Sequence, residues 1–157
     1  MGNHTTSLKA GLKSPDFKCK NQDGKIVSLK DFKGKKLVIY FYPNDDTPTC
    51  TTEACNLRDN YSSFIKKGYA VIGVSANDEK SHLKFIKKYE LPFPLLADTD
   101  MKVIKAFDVW GQKFFMGRWF DAIIRTTFII DEKGIIERII TDVKSKKHSE
   151  QILTTNN

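Results

Sequence analysis

Apolar positions along this chain change period several times, and each change predicts an element. Leu37-Val38-Ile39-Tyr40-Phe41-Tyr42 is an unbroken apolar, β-rich run, the pattern of a strand buried on both faces. Pro43 ends it, because proline cannot donate to a ladder. Asn44, Asp45 and Asp46 then read as a turn. From Pro48 to about Lys67 the period becomes helical, with Cys50, Ala54, Leu57, Tyr61 and Phe64 on one stripe. Ala70–Ser75 predicts a second buried strand, Glu79–Tyr89 a helix with Leu83 and Ile86 inward, and Pro94–Leu96 a short strand. Asp98–Phe107 reads as helical, capped by Asp98 or Thr99. Asp23-Gly24 predicts a hairpin between Phe17–Lys20 and Lys25–Leu29, and Asp131-Glu132-Lys133-Gly134 another between Ile124–Ile130 and Ile135–Ile140. Lys146–Leu153 is expected as a last helix. Strand–helix–strand units followed by a hairpin and a helix make an α/β fold class, a mixed sheet flanked by helices on both faces. With no repeat, low-complexity segment or linker in the way, residues 8–157 are expected as a single domain after a disordered start over residues 1–7.

Composition narrows the function classes. The length of 157 residues suits one domain with a full core. The chain has neither an apolar run of transmembrane length nor an h-region at its start, so no membrane association is expected. Three cysteines without a repeating framework argue for a reducing compartment and a cytoplasmic location. The start Met1-Gly2-Asn3-His4-Thr5-Thr6 matches a myristoylation pattern, and Asn3 and Asn60 head glycosylation sequons; all three are read as chance matches. The net charge of +7 invites a nucleic-acid reading. Its lysines, however, fall in short runs at turns and helix ends, such as Lys33–Lys36 and Lys144–Lys147, where solvated lysine is the ordinary outcome. No zinc-finger, helix-turn-helix or RNP pattern accompanies them, so no nucleic acid is expected as partner.

The candidate chemistry lies in the first turn of the helix after the buried strand. Thr47 followed by Pro48 reads as an N-cap with proline at the first helical position. Cys50 is then the third residue of the helix, with the Thr47 hydroxyl in reach of its amide. Unpaired amides and the positive end of the helix dipole favour a sulfur anion there, and the thiolate is the nucleophilic form of cysteine. Because Cys50 shares the inward stripe, it is expected at the edge of a pocket. Spacing alone does not separate such a nucleophile from an inert core cysteine. Cys55 is five residues on, a rotation of roughly 140° and a Cα separation of roughly 8–9 Å along an intact helix. Disulfides need Cα atoms within about 7 Å. Any Cys50–Cys55 bond therefore requires the first turns to unwind. Cys19, in the first hairpin, reads as structural. Glu53 reads as a helix-surface charge with a lesser chance of orienting an arginine, and His4, His82 and His148 as solvent-exposed.

Pro43-x-x-x-Thr47-x-x-Cys50 resembles the peroxidatic motif of the peroxiredoxins. The run Thr47–Asp59 is similar to the bacterioferritin-comigratory-protein (PrxQ) branch of that family, and further similarity extends from about Leu8 to Leu153. It includes Ser14-Pro15-Asp16-Phe17, Val74-Ser75, Phe93–Asp98 and the arginine-bearing segment Arg125–Asp131. Thr49 stands where many relatives carry glycine, Ser14 and Ala97 replace a more usual alanine and serine, and no reacting group is lost.

The resemblance implies a thioredoxin-like fold with an N-terminal hairpin, and an atypical two-cysteine thiol peroxidase. In that picture Cys50 attacks hydrogen peroxide or an alkyl hydroperoxide and Cys55 resolves the sulfenic acid as an intramolecular disulfide. Thr47 contacts the peroxide, Pro43 shields the sulfur and Arg125 holds the thiolate and peroxide oxygens. Thioredoxin or a similar dithiol is the implied reductant. No metal or organic cofactor is needed, and a monomer is expected because the resolving thiol lies in the same chain. Among other classes, a disulfide oxidoreductase prefers C-x-x-C and a structural zinc site wants four Cys/His ligands. A non-enzymatic redox sensor or holdase would use the same two cysteines.

Overall fold

The computed structural model of the chain describes residues 2–154. Strands β1 (Lys18–Lys20) and β2 (Ile26–Ser28) form the first hairpin. Strand β3 (Lys36–Phe41) leads through helices α1 (Pro48–Asp59) and α2 (Tyr61–Lys66) to β4 (Tyr69–Ser75), then α3 (Glu79–Tyr89), β5 (Leu95–Ala97) and α4 (Lys102–Ala106). A second hairpin, β6 (Trp110–Phe115) with β7 (Arg118–Ile123), precedes the antiparallel pair β8 (Thr126–Ile130) and β9 (Ile136–Ile140). Helix α5 (His148–Leu153) follows a 3-10 turn at Ser145–Lys147.

The central sheet has the order β5-β4-β3-β8-β9. Strands β3, β4 and β5 are parallel, joined by helical crossovers, and β8 pairs antiparallel to both β3 and β9. This is the mixed, helix-flanked sheet expected from the sequence. Period-two alternation in β3 divides the core. Leu37, Ile39 and Phe41 face a cluster that includes Val103, Ile104 and Phe107, whereas Val38 and Tyr40 face one containing Cys50, Ala54, Leu57, Phe64 and Phe85. Each such buried side chain contributes about 1.5–3 kcal/mol of transfer free energy. Gly73, paired with Tyr40 across the β3–β4 ladder, has no room for a side chain: a Cβ there would lie 2.8 Å from the Tyr40 ring. The glycine therefore lets a tyrosine fill the sheet face beneath the α1 mouth.

Three elements depart from the sequence reading. The helix expected over 48–67 breaks at Asn60, whose side-chain amide donates to the Asn56 carbonyl (2.9 Å) and competes with the helix ladder. The helix expected over 98–107 shortens to α4 because Met101 adopts φ +66°; Asp98 still serves it, accepting from the amides of Val103 and Ile104. The β6–β7 hairpin answers to no element in the sequence pattern. Its two-residue turn, Met116-Gly117, has positive φ at both positions, as a hairpin turn matching strand twist requires. The expected disordered start carries no helix or strand in its described part, yet it is tied down: the His4 amide donates to Gln112 O (2.8 Å) and the Thr6 hydroxyl to Phe107 O (2.7 Å). Among the described residues no helix is long and apolar enough to cross a membrane.

Candidate active site

The loop from β3 to α1 hangs on one buried carboxylate. Asp45 accepts from the Tyr42 hydroxyl (2.6 Å), the Ser81 hydroxyl (2.7 Å) and His82 Nδ1 (2.8 Å), while its own amide donates to Asn77 Oδ1 (3.0 Å). His82 Nε2 faces the Leu96 carbonyl at 2.8 Å. His82, expected at the surface, is thus fully buried. The turn also needs Asp46 at φ +56°. Asp45→Ala leaves these buried donors unmet and is expected to cost at least about 1–3 kcal/mol, the penalty of an unsatisfied buried polar group. Denaturant unfolding checks this; an unchanged midpoint contradicts it.

Helix α1 begins at Pro48, with Thr47 in extended conformation as the N-cap residue. The Thr47 hydroxyl does not reach the Cys50 amide as expected. It donates to the Asn44 carbonyl (3.1 Å), and no side chain caps the helix. The first-turn amides are therefore left available at the mouth. Pro43 is half-buried just after the strand, Thr49 is exposed, and Cys50 is buried on the core side of the first turn.

Arg125 comes to Cys50 from the residue just before β8. Its Nη2 donates to Cys50 Sγ (3.2 Å) and its Nη1 to Glu53 Oε1 (2.6 Å). Arg125 is held above the ordinary guanidinium range: burial works against its charge, but Glu53 and Cys50 outweigh it. Glu53 is no surface residue. It is wholly buried, and burial pushes its carboxyl up to about 7 against the pull of Arg125. His148, also expected exposed, is buried behind it with Nε2 3.5 Å from Glu53 Oε2, and burial pushes its imidazole down to about 4. His4 is half-buried against Asp108 (3.0 Å). Tyr40 lies under this group with its hydroxyl unpartnered.

All three cysteines are free thiols. Cys55 is half-buried on the intact α1, and the helix keeps it at the roughly 8–9 Å Cα separation that forbids a bond to Cys50. Burial, then Asp98, pushes the Cys19 thiol up to about 12, which suits an inert core residue. Among the described residues no group of three or more His, Cys, Asp or Glu side chains is placed to hold a metal ion.

Comparison with known proteins now bears on this site. The AhpC/TSA family model matches residues 10–139. Peroxiredoxin Bcp of Bacillus subtilis is 44% identical over 149 residues, covering 95% of both chains, and Peroxiredoxin Bcp of Escherichia coli K12 is 43% identical over 146 residues, covering 93% of this chain and 94% of the relative. Peroxiredoxin Q of Xanthomonas campestris superposes with a TM-score of 0.84 at 34% identity, over 94% of each chain. The chain belongs to the AhpC/TSA family, as a Bcp/PrxQ peroxiredoxin. A further structure of the Xanthomonas protein, at 33% identity and TM-score 0.84, is described in terms of that protein's alkyl peroxide reduction activity.

In this peroxiredoxin the fold thus brings Cys50 and Arg125 together, with Glu53 and His148 added behind them. The sequence carried a signal for both additions. Cys50, Glu53, Ala54 and Leu57 fall at i, i+3, i+4 and i+7, and His148 and Ile152 at i and i+4, so the ionisable residues occupy core positions of their helices.

Proposed function

We propose that this peroxidase reduces hydrogen peroxide and organic hydroperoxides through Cys50, with Cys55 as the resolving thiol. The observation that carries the reading is the Arg125 guanidinium 3.2 Å from the Cys50 sulfur at a buried, uncapped helix mouth. The Cys50 thiolate attacks one peroxide oxygen; the O–O bond breaks, sulfur is oxidised to the sulfenic acid, and the leaving oxygen takes a proton as water or alcohol. Arg125 and the first-turn amides hold the peroxide in line and stabilise the charge moving onto the leaving oxygen. Thr47 orients the peroxide at the rim, and Pro43 limits water over the sulfur. The first turns of α1 then unwind, Cys55 displaces water from the sulfenic acid, and a Cys50–Cys55 disulfide forms. A dithiol of the thioredoxin class reduces it by exchange. Because both thiols lie in one chain, the working form is a monomer; the sulfur chemistry needs no cofactor, and three cysteines outside any disulfide framework suit the reducing cytoplasm.

Thioredoxin-coupled NADPH consumption on adding hydrogen peroxide tests the cycle, with an alkyl hydroperoxide run in parallel. The wild type should turn over steadily. Cys55→Ser should consume one equivalent of peroxide and then stall; undiminished cycling would assign resolution to another thiol.

A further inference from the structure

We propose that Glu53 and His148 are a positioning pair that holds one proton between Glu53 Oε2 and His148 Nε2, balancing the charge beside Cys50. The inference rests on Cys50 being the attacking thiol. Its geometry begins with Gln151, whose orientation is set by the backbone. Gln151 Nε2 donates to the Asp142 carbonyl (2.8 Å), and the Lys144 amide donates to Gln151 Oε1 (2.9 Å). The oxygen therefore faces His148 Nδ1 at 2.8 Å, and Nδ1 must carry a proton. Nε2 is left facing Thr127 Oγ1 at 2.7 Å and Glu53 Oε2 at 3.5 Å. Glu53 Oε2 has no hydrogen-bond partner, although Glu53 and His148 are both fully buried. An ionised carboxylate there puts an unmatched charge in conflict with a dry site, because an unprotonated Nε2 can only accept, from the Thr127 hydroxyl, and offers Oε2 no donor. One proton in the gap removes that conflict, whichever atom carries it.

The same proton closes the charge count. Arg125 is a cation, and with Cys50 as thiolate and Glu53 ionised the group carries one excess negative charge. The pair's proton cancels it. From β3 the site is faced by the Tyr40 hydroxyl, which burial holds well above the ordinary phenol range. From β8 comes neutral Thr127, and from β9 Arg138, which binds the carbonyls of Gln151 and Ile152 at the far end of α5 rather than Glu53. Lys146 and Lys147 precede α5; both are exposed, and the Lys146 carbonyl accepts from the Asn56 side-chain amide. Burial works toward the same arrangement, favouring a neutral carboxyl at Glu53 and a neutral imidazole at His148. Without the histidine, Glu53 ionises more readily, and its carboxylate competes with the sulfur for Arg125.

The test is the rate of Cys50 alkylation by iodoacetamide between pH 5 and 8, read by mass spectrometry and independent of peroxidase turnover. His148→Asn keeps a donor toward Gln151 and deletes Nε2; His148→Phe is the second variant should asparagine not fold. Either should slow alkylation about fivefold to tenfold near pH 6–7, as a modest rise in the cost of the thiolate implies. Glu53→Gln places a permanent N–H where the proton sits and still accepts from Arg125. Added to His148→Asn, it should restore the rate. A defect of equal size in both backgrounds, or none in either, overturns the pairing while leaving the peroxidase reading untouched. Denaturant midpoints give a second readout. Burial raises the folded pKa of Glu53, so with His148 removed stability should still fall as pH rises above about 4.5, over a window that closes before the value of about 7 held in the intact pair. His148 has a depressed one, so in Glu53→Gln stability should fall as pH drops from 6.5 to about 4. The wild type should be flatter than either, because folding moves the proton from histidine to carboxylate. Parallel profiles in all three proteins overturn the proposal.

Discussion

Cys50→Ser will abolish peroxide reduction and leave the fold standing. Serine is smaller by little, and its oxygen can still accept from Arg125 Nη2, which now lies 3.2 Å from the sulfur. The hydrogen bond is retained, so the stability change should stay near 1 kcal/mol, the usual scale of a net buried hydrogen bond. Chemistry does not survive, because a hydroxyl is not ionised in this site at neutral pH and lacks the polarisable lone pair that displaces an oxygen from peroxide. Thioredoxin-coupled NADPH consumption should drop to the no-enzyme background, while thermal or denaturant midpoints stay close to wild type. Adding peroxide to the variant should leave Cys19 and Cys55 as thiols: the first is buried and the second has no sulfenic partner. Turnover comparable with wild type would remove Cys50 from the mechanism.

Where periodicity and chemistry agreed, the sequence was enough. The run Leu37–Tyr42 is the central strand, and Cys50 sits at the mouth of the helix that follows. Arg125, nominated by resemblance, arrives within hydrogen-bond distance of a sulfur 75 residues away because β8 pairs beside β3. The misreadings share one cause. Glu53, His82 and His148 read as surface residues by type, since ionisable side chains are rarely buried without partners. Each has a partner contributed by another part of the fold: Arg125 for Glu53, Asp45 for His82 and Thr127 for His148, which Gln151 joins from the next turn of the same helix. Such partnerships depend on tertiary contacts and leave no local trace. What does leave a trace is an ionisable residue on an otherwise apolar helix stripe, and that pattern now stands as the readable sign. Thr47 shows the opposite limit: the cap position was legible, but the hydroxyl chose the Asn44 carbonyl in its own turn.

The site's contacts also bear on how α1 would open in the proposed cycle. Asn56, next to Cys55, donates to the Lys146 carbonyl (2.9 Å) and accepts from the Ser149 amide (2.7 Å), while the Ser149 hydroxyl donates to the Asn56 carbonyl (3.1 Å). Upstream, the first turn is held by the Thr51 amide on Thr47 O (2.8 Å) and by Arg125. The clamp fixes the helix on the far side of Cys55. In the proposed cycle this would direct unwinding to residues 48–55, the stretch that would have to change for the two sulfurs to meet. Helix opening and Arg125 contact compete, because the guanidinium holds both Cys50 and Glu53 of that stretch.

Arg125→Ala should lower the rate of peroxide reduction about 10²–10³-fold, the usual cost of removing one preorganised donor from a site where negative charge develops. Arg125→Lys should recover part of this, since a single ammonium cannot bridge the sulfur and the carboxylate as the fork does. The stability effect has a distinct pH signature. Removing one partner of a buried ion pair ordinarily costs about 3–5 kcal/mol. Here Glu53 has an escape, because its carboxyl is already pushed up to about 7 by burial and Arg125 is what pulls it down. Without the arginine it rises further and stays protonated at neutral pH. A raised folded pKa gives stability that is present below the unfolded carboxyl range and lost as pH rises through the folded value. The variant should therefore lose little at pH 5 and progressively more toward pH 8, while its peroxidase defect persists at both. Denaturant midpoints and second-order rates at the two pH values separate these effects. An equal stability loss at pH 5 and 8 would mean that Glu53 does not take up the proton, and a rate within tenfold of wild type would remove Arg125 from the stabilisation of the leaving oxygen.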